Sequence, residues 1–324
     1  MSGVFARVRI LPLLAVFAAA ALLVTFPIWS APWEGSRYAT SILRDMLVLA
    51  ILALSLDLLV GSAGMPSLGQ SAYFGAGAYA AAIAGQRLGS DDLLLGLGAA
   101  ILVSSLLALA IGAVAVRAAG IFFLMLTLAF AQMVFAVAFQ AVDITGGSNG
   151  FSGVRRPMLF GLDFNGPDAL FHLVAVIFLV VLLIVWRIRS STYGRALVGL
   201  RENERRMRAL GYDTTRLKLS AFVLAGAIAG VGGALQAYSL RFVSTNDVGV
   251  ARSVEAFVSV LIGGASSLLG PVVGAIVVLF IERVMPSYIA FAETVLGLVF
   301  IIFVLAARQG IVGLARVAYA RARA

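Results

Sequence analysis

The sequence predicts an all-α, polytopic membrane protein with about ten transmembrane helices and one long, charged cytoplasmic segment. Of the 324 residues, 62% are hydrophobic, and the mean hydropathy is +1.05, values that a water-soluble surface cannot accommodate. Charged residues make up only 12% of the chain, yet nine of the 24 basic residues lie between Trp186 and Leu219. The apolar runs therefore predict the membrane class, and the concentration of charge marks a segment outside the membrane.

Ten segments are candidate membrane helices, given that a helix needs about 20 apolar residues to span the bilayer. In chain order they are residues 10–29, 40–60, 72–87, 93–116, 118–140, 169–186, 217–240, 254–267, 268–284 and 289–306. We interpret the first as a retained helix and not a signal peptide, because it is long enough to span and no small-x-small cleavage site follows it. The third is rich in glycine and the eighth is short, so either is a candidate for a broken or re-entrant element, and the predicted range is eight to ten spans.

Basic residues outside these helices predict the orientation of the chain. Arg7 and Arg9 precede the first helix, the 187–218 segment is strongly basic, and four arginines follow the last helix. Short loops rich in Lys and Arg stay in the cytoplasm during insertion. Both termini and the basic segment are therefore predicted to be cytoplasmic, and the loop at 141–168 is predicted to face the outside.

Several classes of function are excluded by residue types that the chain lacks or barely contains. It has no Cys and a single His, His172, which leaves no basis for a thiolate or imidazole metal site or for the nucleophile and base of a membrane enzyme. The only lysine, Lys218, lies between Leu217 and Leu219, so the Gly-Lys-Ser/Thr ending of an ATP-binding P-loop is missing. The net charge of +9 is explained by cytoplasmic loops, and there is no soluble basic domain to bind nucleic acid.

The segment "GRALVGLRENERRMRALGYDTTRLK", residues 194–218, has the pattern of an amphipathic helix. Glu202 precedes Arg206 by four residues and Glu204 precedes Arg208 by four, the favourable order for ion pairs on a helix. One side of the predicted helix is apolar and another is basic. The apolar side comprises Leu197, Leu200, Met207, Ala209 and Leu210. The basic side comprises Arg201, Arg205 and Arg208. Gly211 is placed to end the helix, and Asp213 or Thr214 to cap the next one. Interleaved acids favour docking to a protein, whereas a helix lying on anionic lipid is the alternative.

Two glycine-rich stretches interrupt the apolar runs, at residues 60–82 and 261–278. Gly and Pro interruptions in two parts of a transporter point to its substrate path, whereas close helix packing is the alternative for any single glycine. Polar groups within a span are expected to face protein or a watery cavity. Polar residues in the first stretch and in the fifth predicted span are therefore the candidate path residues, and hydrogen bonding between helices is the alternative role. These residues are Ser67, Gln70, Ser71, Tyr73, Thr127 and Gln132.

Few charges are predicted within the spans, namely Asp57, Glu282 with Arg283, and Glu293. Asp57 is close to the break at Gly61, and Glu282 and Arg283 lie at a helix end, so we expect these side chains near the membrane interface. Without a buried chain of acids, an ion-coupled secondary transporter finds little support.

Five stretches, taken in order, carry a resemblance to a known family. They are "GSAGMPSLGQSAYFGAGAYAAA", "GIFFLMLTLAFAQM", "TGGSNGFSGV", the charged segment continued into "LSAFVLAGAIAGVGGAL", and "GGASSLLGPVVGA". Together they resemble the permease subunits of bacterial ATP-binding-cassette (ABC) importers for branched-chain amino acids, in particular the LivM branch. The resemblance extends from about residue 43 to residue 305. It implies a single permease domain over 1–324 in the bacterial inner membrane, with a cytoplasmic coupling loop at 188–216 and a periplasmic loop at 141–168.

The resemblance implies that the charged segment is the coupling helix, which fits into a cleft of a separate ATP-binding subunit and transmits its closure to the membrane helices. The residues assigned to this contact are Arg201, Glu202, Asn203, Glu204, Arg205, Arg208 and Gly211. The general pattern of ABC permeases expects Glu-Ala-Ala followed three residues later by Gly. Here Arg205 and Arg206 replace the alanines, and Glu204 lies seven residues before Gly211. The form Arg-Glu-Asn-Glu before Leu-Gly is typical of this branch, so the departure affects the detailed contacts and not the location.

The same resemblance implies partners and a mechanism for a transporter subunit that is not itself an enzyme. The chain would lie in the lipid bilayer with a second, related permease, two ATP-binding subunits that hydrolyse ATP, and a periplasmic binding protein; it would bind no cofactor or metal itself. The candidate docking residues for the binding protein are Thr145, Gly146, Gly147, Ser148 and Asn149, for which a flexible turn cluster is the alternative. Transport would proceed by alternating access between the two permeases.

The substrate and the class of transporter have alternatives. Branched-chain amino acids are the expectation from the family, whereas urea, short amides and other small polar solutes are alternatives within it. A self-contained ion-coupled secondary transporter is the alternative from another class. That carrier would transport solute from this chain alone, whereas the importer permease requires an ATPase partner.

Overall fold

A computed structural model of the chain describes residues 36–88, 91–159 and 161–287, together with residues 294, 297, 310, 311 and 313. Within these residues the chain forms a bundle of helices with short strands at one end. The helices are α1 (Ser36–Asp57), α2 (Gln70–Leu88), α3 (Leu93–Ala115), α4 (Ile121–Gln140), α5 (Val142–Thr145), α6 (Pro167–Ser190), α7 (Thr192–Glu202), α8 (Glu204–Ala209), α9 (Thr214–Leu240), α10 (Val250–Gly263) and α11 (Gly270–Arg283).

Five of the described helices are long and apolar enough to cross a membrane. They cover Arg37–Ala63, Leu93–Ala115, Ile121–Gln140, Pro167–Ser190 and Thr214–Leu240. Eight of the ten predicted segments overlap an observed helix, while residues 10–29 and nearly all of 289–306 lie outside the described residues. The all-α membrane class is confirmed, and the count of about ten spans stays a prediction.

Helix α1 is the centre of the bundle and packs against α6, α9, α10 and α11. Its residues from 46 to 57 are buried on every side, because a helix that is apolar nearly all round packs best inside. At Leu58 it widens into a π-helical turn, Leu58–Ala63, which ends at Gly64 with a φ of 69°. Glycine adopts this left-handed conformation without steric cost, so the helix breaks where the first glycine-rich stretch begins.

Helices α2, α3 and α9 form a second closely packed group in which glycines permit backbone contact. A Cβ atom at Gly233 would lie 1.8 Å from the carbonyl oxygen of Phe74, and one at Gly77 would lie 2.4 Å from the Cα of Gly230. Small residues allow membrane helices to approach in this way. The glycines of α2 and α9 therefore set the distance between these two helices.

Helices α10 and α11 form a hairpin of two short helices. Each has 14 residues, or about 21 Å at 1.5 Å per residue, which is less than the roughly 30 Å of a hydrocarbon core. The sequence predicts helices at 254–267 and 268–284, but α10 ends at Gly263. The reason is that Gly264 and Ser266 take positive φ values of 104° and 70°, which a helix cannot contain.

Helices α3 and α4 lie at the outside of the bundle and expose apolar faces. Leu102, Leu106, Phe122 and Met133 are each more than half exposed. Large apolar side chains exposed on the same helices are typical of contact with a membrane or a protein partner. Their presence on helices of spanning length agrees with the predicted membrane class.

The segment between α4 and α6 folds over one end of the bundle. This segment contains β1 (Phe151–Ser152), β2 (Met158–Leu159) and β3 (Leu162–Asp163). Strand β1 pairs antiparallel with β4 (Phe242–Val243), which follows α9, and β2 pairs antiparallel with β3. Helix α6 starts at this end and has 24 residues, a length of about 36 Å. The charged segment follows α6, so it lies at the opposite end of that helix.

Candidate coupling segment and polar seam

The charged segment folds as two helices, α7 and α8, and not as the single predicted helix. The chain breaks at Asn203, which is extended (φ −161°, ψ 95°) and whose Oδ1 accepts a hydrogen bond from the N–H of Arg206 at 2.9 Å. Asparagine side chains cap helices in this way and thereby compete with continuation of the preceding helix. Because the break falls between Glu202 and Arg206, the predicted helical spacing holds only for the second pair, Glu204 and Arg208.

Glu204 joins the segment to the start of α9. Its carboxylate oxygens accept hydrogen bonds from Arg208 at 2.6 Å and from Lys218 at 2.7 Å. Partial burial raises the pKa of Glu204, but the hydrogen bonds and charges of Lys218 and Arg208 outweigh this effect, so its pKa lies below the usual value. Lys218 is only 9% exposed, and the pairing with Glu204 compensates the burial of its charge.

The turn after α8 forms as the sequence predicts. Gly211 has a φ of 86°; its N–H donates to the carbonyl of Arg208, and the N–H of Tyr212 donates to the carbonyl of Met207. These two bonds are the Schellman motif, which ends a helix at a left-handed glycine. Asp213 then caps α9 by accepting a hydrogen bond from the N–H of Arg216 at 3.0 Å.

The outward surface of the segment combines charge with apolar area. The sequence predicts Leu210 on the apolar side together with Ala209, but Leu210 is 66% exposed and Tyr212 is 50% exposed. The break at Asn203 places these residues on a separate helix and turn, out of the predicted register. The exposed surface also includes Glu202, Arg205 and Arg206. The predicted apolar side is therefore confirmed only for the buried residues Leu197, Leu200 and Met207.

Arg201, near the end of α7, connects the charged segment to both glycine-rich breaks. Its Nη1 donates to the carbonyl of Gly61 at 2.5 Å and to Oγ of Ser266 at 2.6 Å. Gly61 lies in the π-helical turn after α1, and Ser266 lies in the turn between α10 and α11. The two breaks therefore meet each other at the end of the bundle that carries the charged segment.

Asp57 is the buried charge at this meeting point. Its side chain is 0% exposed; Oδ1 accepts a hydrogen bond from the N–H of Ser266 at 2.9 Å, and Oδ2 accepts one from Arg189 at the end of α6. The sequence predicts an interfacial position for Asp57 because the break at Gly61 follows. The structure buries its side chain within the protein, where Arg189 and Ser266 supply the partners that a buried carboxylate requires; its depth in the membrane stays a prediction.

Four of the six predicted path residues, Ser67, Gln70, Ser71 and Thr127, lie in or against the start of α2. Oγ of Ser67 accepts a hydrogen bond from the N–H of Gly69 at 3.1 Å, and Oγ1 of Thr127 in α4 accepts one from the N–H of Leu68 at 3.3 Å. Next in the chain is Gln70, and both of its side-chain amide atoms are buried without a hydrogen-bond partner among the described residues. Ser71 follows and is fully buried.

Ser253 completes this group, although no pattern in the sequence distinguishes it. Its Oγ accepts a hydrogen bond from the N–H of Ser71 and donates one to Oγ of Ser71, each at 2.9 Å. It lies in the first turn of α10, so only the tertiary approach of α10 to α2 reveals it. We call the set of Ser67, Gln70, Ser71, Thr127 and Ser253 the polar seam.

The other two path candidates have different surroundings. The ring of Tyr73 packs edge-on against Phe222 with the ring centroids 5.5 Å apart, which is an ordinary core contact. Gln132 is exposed on the outer side of α4, because the buried stripe of that helix passes through Thr127 and Ala131. Neither residue belongs to the polar seam.

At the opposite end of α6, the predicted docking residues divide into a buried pair, an exposed pair and a half-buried glycine. Thr145 is buried and its Oγ1 donates to the carbonyl of Ala138 at 2.6 Å, while the N–H of Gly147 donates to Thr145 Oγ1 at 3.2 Å. These two residues build the turn, with Gly146 at a φ of 78° linking them. Ser148 and Asn149 are exposed, so they are the residues that a partner can contact directly.

Charges that are buried or partly buried within the helices are more numerous than the sequence predicts. Arg252 pairs with Glu255 at 2.7 Å, and Arg44 lies 3.5 Å from Asp45. Asp45 and Arg252 also line a cavity of about 10 Å³, which is room for one water molecule. Neighbouring opposite charges compensate part of the cost of burial. Glu293 lies outside the described residues.

Comparison with known proteins gives matches along most of the chain. Residues 38–307 match the family model of the permease component of branched-chain amino acid transport systems. The high-affinity branched-chain amino acid transport system permease protein LivM of Salmonella typhimurium strain LT2 is 30% identical over 319 residues, which cover 91% of this chain and 74% of that protein. LivM of Escherichia coli strain K12 is 29% identical over 323 residues, with the same shares covered.

A relative from the second branch also matches. The probable branched-chain amino acid transport permease protein LivH of Methanocaldococcus jannaschii is 26% identical over 255 residues, which cover 76% of this chain and 79% of that protein. No solved structure was found to match the chain. The relatives are permease subunits of transporters and not enzymes. With most of its described helices inside the matched region, this chain belongs to the family of permease components of branched-chain amino acid transport systems.

Proposed function

We propose that the chain is the membrane-spanning permease subunit of an ABC importer in the bacterial inner membrane, and that it carries branched-chain or related amino acids. The single observation that supports this mechanism best is the contact of Arg201 with Gly61 and Ser266. It joins an exposed charged segment to two broken helices. A separate ATP-binding subunit that moves this segment would have a direct connection to the membrane part of the chain.

The coupling surface consists of the exposed residues from Glu202 to Tyr212, at the end of α7, on α8 and in the following turn, and Arg201 connects it to the two helix breaks. Glu202 and Arg205 offer charges of both signs, which give orientation and selectivity to a protein contact, and Leu210 and Tyr212 add apolar area. Asn203, Glu204, Arg208 and Gly211 shape the segment through the helix cap, the ion pairs and the turn. In the proposed complex this surface lies in the cytoplasm and contacts one of two ATP-binding subunits.

The remaining partners are assigned to the other exposed surfaces. A second permease packs against an apolar face of the outer helices α3 and α4, and the match to a LivH protein as well as to LivM proteins supports pairing of two related chains. A periplasmic binding protein delivers substrate at the opposite end, where Ser148 and Asn149 are exposed beside Val142 and Ile144. The chain itself holds no ATP.

The substrate path runs along the polar seam. A buried amide without a partner is costly, and Gln70 is free to bind the main-chain groups of an amino acid once the seam opens. Ser71 and Ser253 now bond to each other across the seam and would exchange this bond for contacts with substrate. The seam is closed in the described state, as one conformation of an alternating-access cycle requires.

The proposed function is tested by purifying the tagged chain from its native membrane in mild detergent and identifying the proteins that accompany it. We expect a second permease of similar size and an ATP-binding subunit. In liposomes, the complex with its binding protein should accumulate leucine or valine only when ATP is supplied on the cytoplasmic side. Isolation of the chain alone, with ATP-independent transport in liposomes, would show instead a self-contained carrier.

The proposed orientation predicts which surfaces are accessible from the periplasm. Because the chain has no Cys, single cysteines can be introduced without background labelling. In spheroplasts, a membrane-impermeant maleimide should label Ser148→Cys directly and Arg205→Cys only after permeabilisation. The unmodified chain is the matched control and should stay unlabelled. Labelling in the reverse order would invert the topology and place the charged segment outside the cell.

A further inference from the structure

We propose that Asp57 is a positioning residue that holds both helix breaks against the charged segment, so that a displacement of the segment moves the two walls of the polar seam together. This inference rests on the proposed function, because it assigns a role within ATP-driven coupling. Its test is therefore chosen so that failure to associate with an ATPase and failure to transmit the movement give different results.

The carboxylate of Asp57 bonds to two different elements. One oxygen accepts the backbone N–H of Ser266 at 2.9 Å, in the α10–α11 turn, and the other is paired with Arg189 at the end of α6. Gly61 makes the approach possible, because a Cβ there would lie 2.2 Å from Asp57 Oδ1 and 2.5 Å from the nitrogen of Ser266. Asp57 thus joins α1, α6 and the hairpin at one buried point.

Arg201 makes the second set of contacts at the same point. Its guanidinium donates to Gly61 and Ser266, and Oγ of Ser266 donates to the carbonyl of Gly61 at 2.9 Å. The stem of Arg201 packs on Gly64, where a Cβ would lie 2.5 Å from Arg201 Cγ. The charged segment is therefore attached to both breaks by one side chain.

The two arginines at this point differ in how freely they can move. The Asp57–Arg189 pair is largely removed from solvent, since Asp57 is 0% and Arg189 is 16% exposed, and breaking such a pair leaves an uncompensated charge. Arg201 as a residue is exposed, so water can solvate its guanidinium when its hydrogen bonds break, and no buried charge is left unpaired. We call the contacts among Asp57, Arg189, Arg201, Gly61 and Ser266 the junction. Asp57 and Arg189 form its fixed part, and Arg201 forms the part that can shift with the charged segment.

The chain connects this junction to the polar seam along two routes. From Gly64 only two residues lead to Ser67 and then to α2, which carries Gln70 and Ser71. From Ser266 the chain runs back through Gly263 into α10, which carries Ser253. The two helix breaks that meet at Asp57 therefore lead into α2 and α10, whose first turns meet at the bond between Ser71 and Ser253. A shift at the junction acts on both sides of that bond.

The experiment measures substrate transported per ATP hydrolysed in the reconstituted complex. Arg201→Ala removes the movable contact, and Arg195→Ala is the matched control, because Arg195 is exposed on the same helix and donates to the carbonyl of Ser190 at 3.3 Å. For Arg201→Ala we expect normal recovery with the ATP-binding subunit and a transport-to-ATP ratio lowered about tenfold, the effect of losing hydrogen bonds from a charged donor. Arg195→Ala should keep the ratio of the unchanged complex.

Asp57→Asn and Arg189→Gln are tested singly and together. Each single change leaves a buried polar or charged group unpaired, so less folded complex should be recovered, whereas the double variant removes both charges and should restore recovery. We expect the transport-to-ATP ratio of the double variant to stay low. If the double variant regains both recovery and the ratio, Asp57 is only half of a structural ion pair.

A normal ratio in Arg201→Ala would also overturn the inference, whatever the Asp57 variants do. An unchanged chain that recovers no ATP-binding subunit would contradict the proposed function instead, and this result is distinguishable from all of the others.

Discussion

Alanine at Gly233 is expected to prevent α2 and α9 from packing and to leave little folded protein in the membrane. The added Cβ would lie 1.8 Å from the carbonyl oxygen of Phe74, 2.8 Å from its carbonyl carbon and 2.9 Å from the nitrogen of Ala78. All three are backbone atoms of α2, so no side chain can rotate away and the helices must separate. Overpacking of a core costs about 1–3 kcal/mol when neighbours can adjust, and we expect a loss at or above the top of that range here.

The measurement is the yield and the thermal unfolding midpoint of the detergent-purified chain. Gly98→Ala in α3 is the matched control, because no heavy atom lies within 4 Å of the position that its Cβ would take. Alanine is favoured over glycine in a helix by roughly 0.5–1 kcal/mol, so this control should unfold at or above the temperature of the unchanged chain. Equal midpoints for the two variants would mean that α2 and α9 do not touch at Gly233.

The positions of the helices were predictable because their causes are local. For α9 the sequence predicts residues 217–240 and the structure has Thr214–Leu240, since the apolar run and the Asp213 cap both act within one segment. The hairpin was less predictable: the turn after α10 contains Ser266 with a positive φ as well as Gly264, and serine rarely adopts this conformation. That conformation fits the contacts of Ser266 with Asp57 and Gly61, which are distant in the chain and invisible to a local pattern.

The polar seam was predictable only in part, for the same physical reason. Polar residues in apolar runs identify candidates, but the face of a helix decides which ones meet. Thr127 and Gln132 are five residues apart, or about 140° around the helix axis at 100° per residue, so they face different surroundings. Ser253 and Asp57 acquire their roles from tertiary contacts. The charged segment was predictable in its turn and caps but not in its break, because Asn203 is as compatible with a helix surface as with a cap.

Replacing residues 201–208 by a flexible Gly/Ser linker of the same length is expected to leave the chain inserted and to abolish association with the ATP-binding subunit. The change removes the charges of Glu202 and Arg205 and the helix that presents Leu210, together with the contacts of Arg201 with the helix breaks. It also removes Glu204, which leaves the buried Lys218 without its closest ionic partner. Transport should fall to background, and recovery of the ATP-binding subunit with the tagged chain is the measurement.

A sharper variant separates the surface from the structure beneath it. Arg205→Glu, Arg206→Glu and Leu210→Ser together alter only exposed side chains, and they keep the Asn203 cap, the Glu204–Lys218 pair and the buried Met207. Placing like charges against a complementary partner costs several kcal/mol, which is a hundredfold or more in affinity. The charge reversal Arg87→Glu, at the exposed end of α2, is the control and should retain the ATP-binding subunit.

These outcomes distinguish protein docking from lipid contact, the two interpretations that the charge pattern leaves open. If the segment docks to a protein, the linker variant and the triple variant should both lose the ATP-binding subunit while the chain stays folded, because the partner binds the exposed side chains. If the helix lies on anionic lipid instead, the two Glu substitutions would weaken only its affinity for the membrane. If the complex is recovered whole from both variants, the charged segment contacts lipid, and Arg201 then holds the helix breaks without any ATPase to move them.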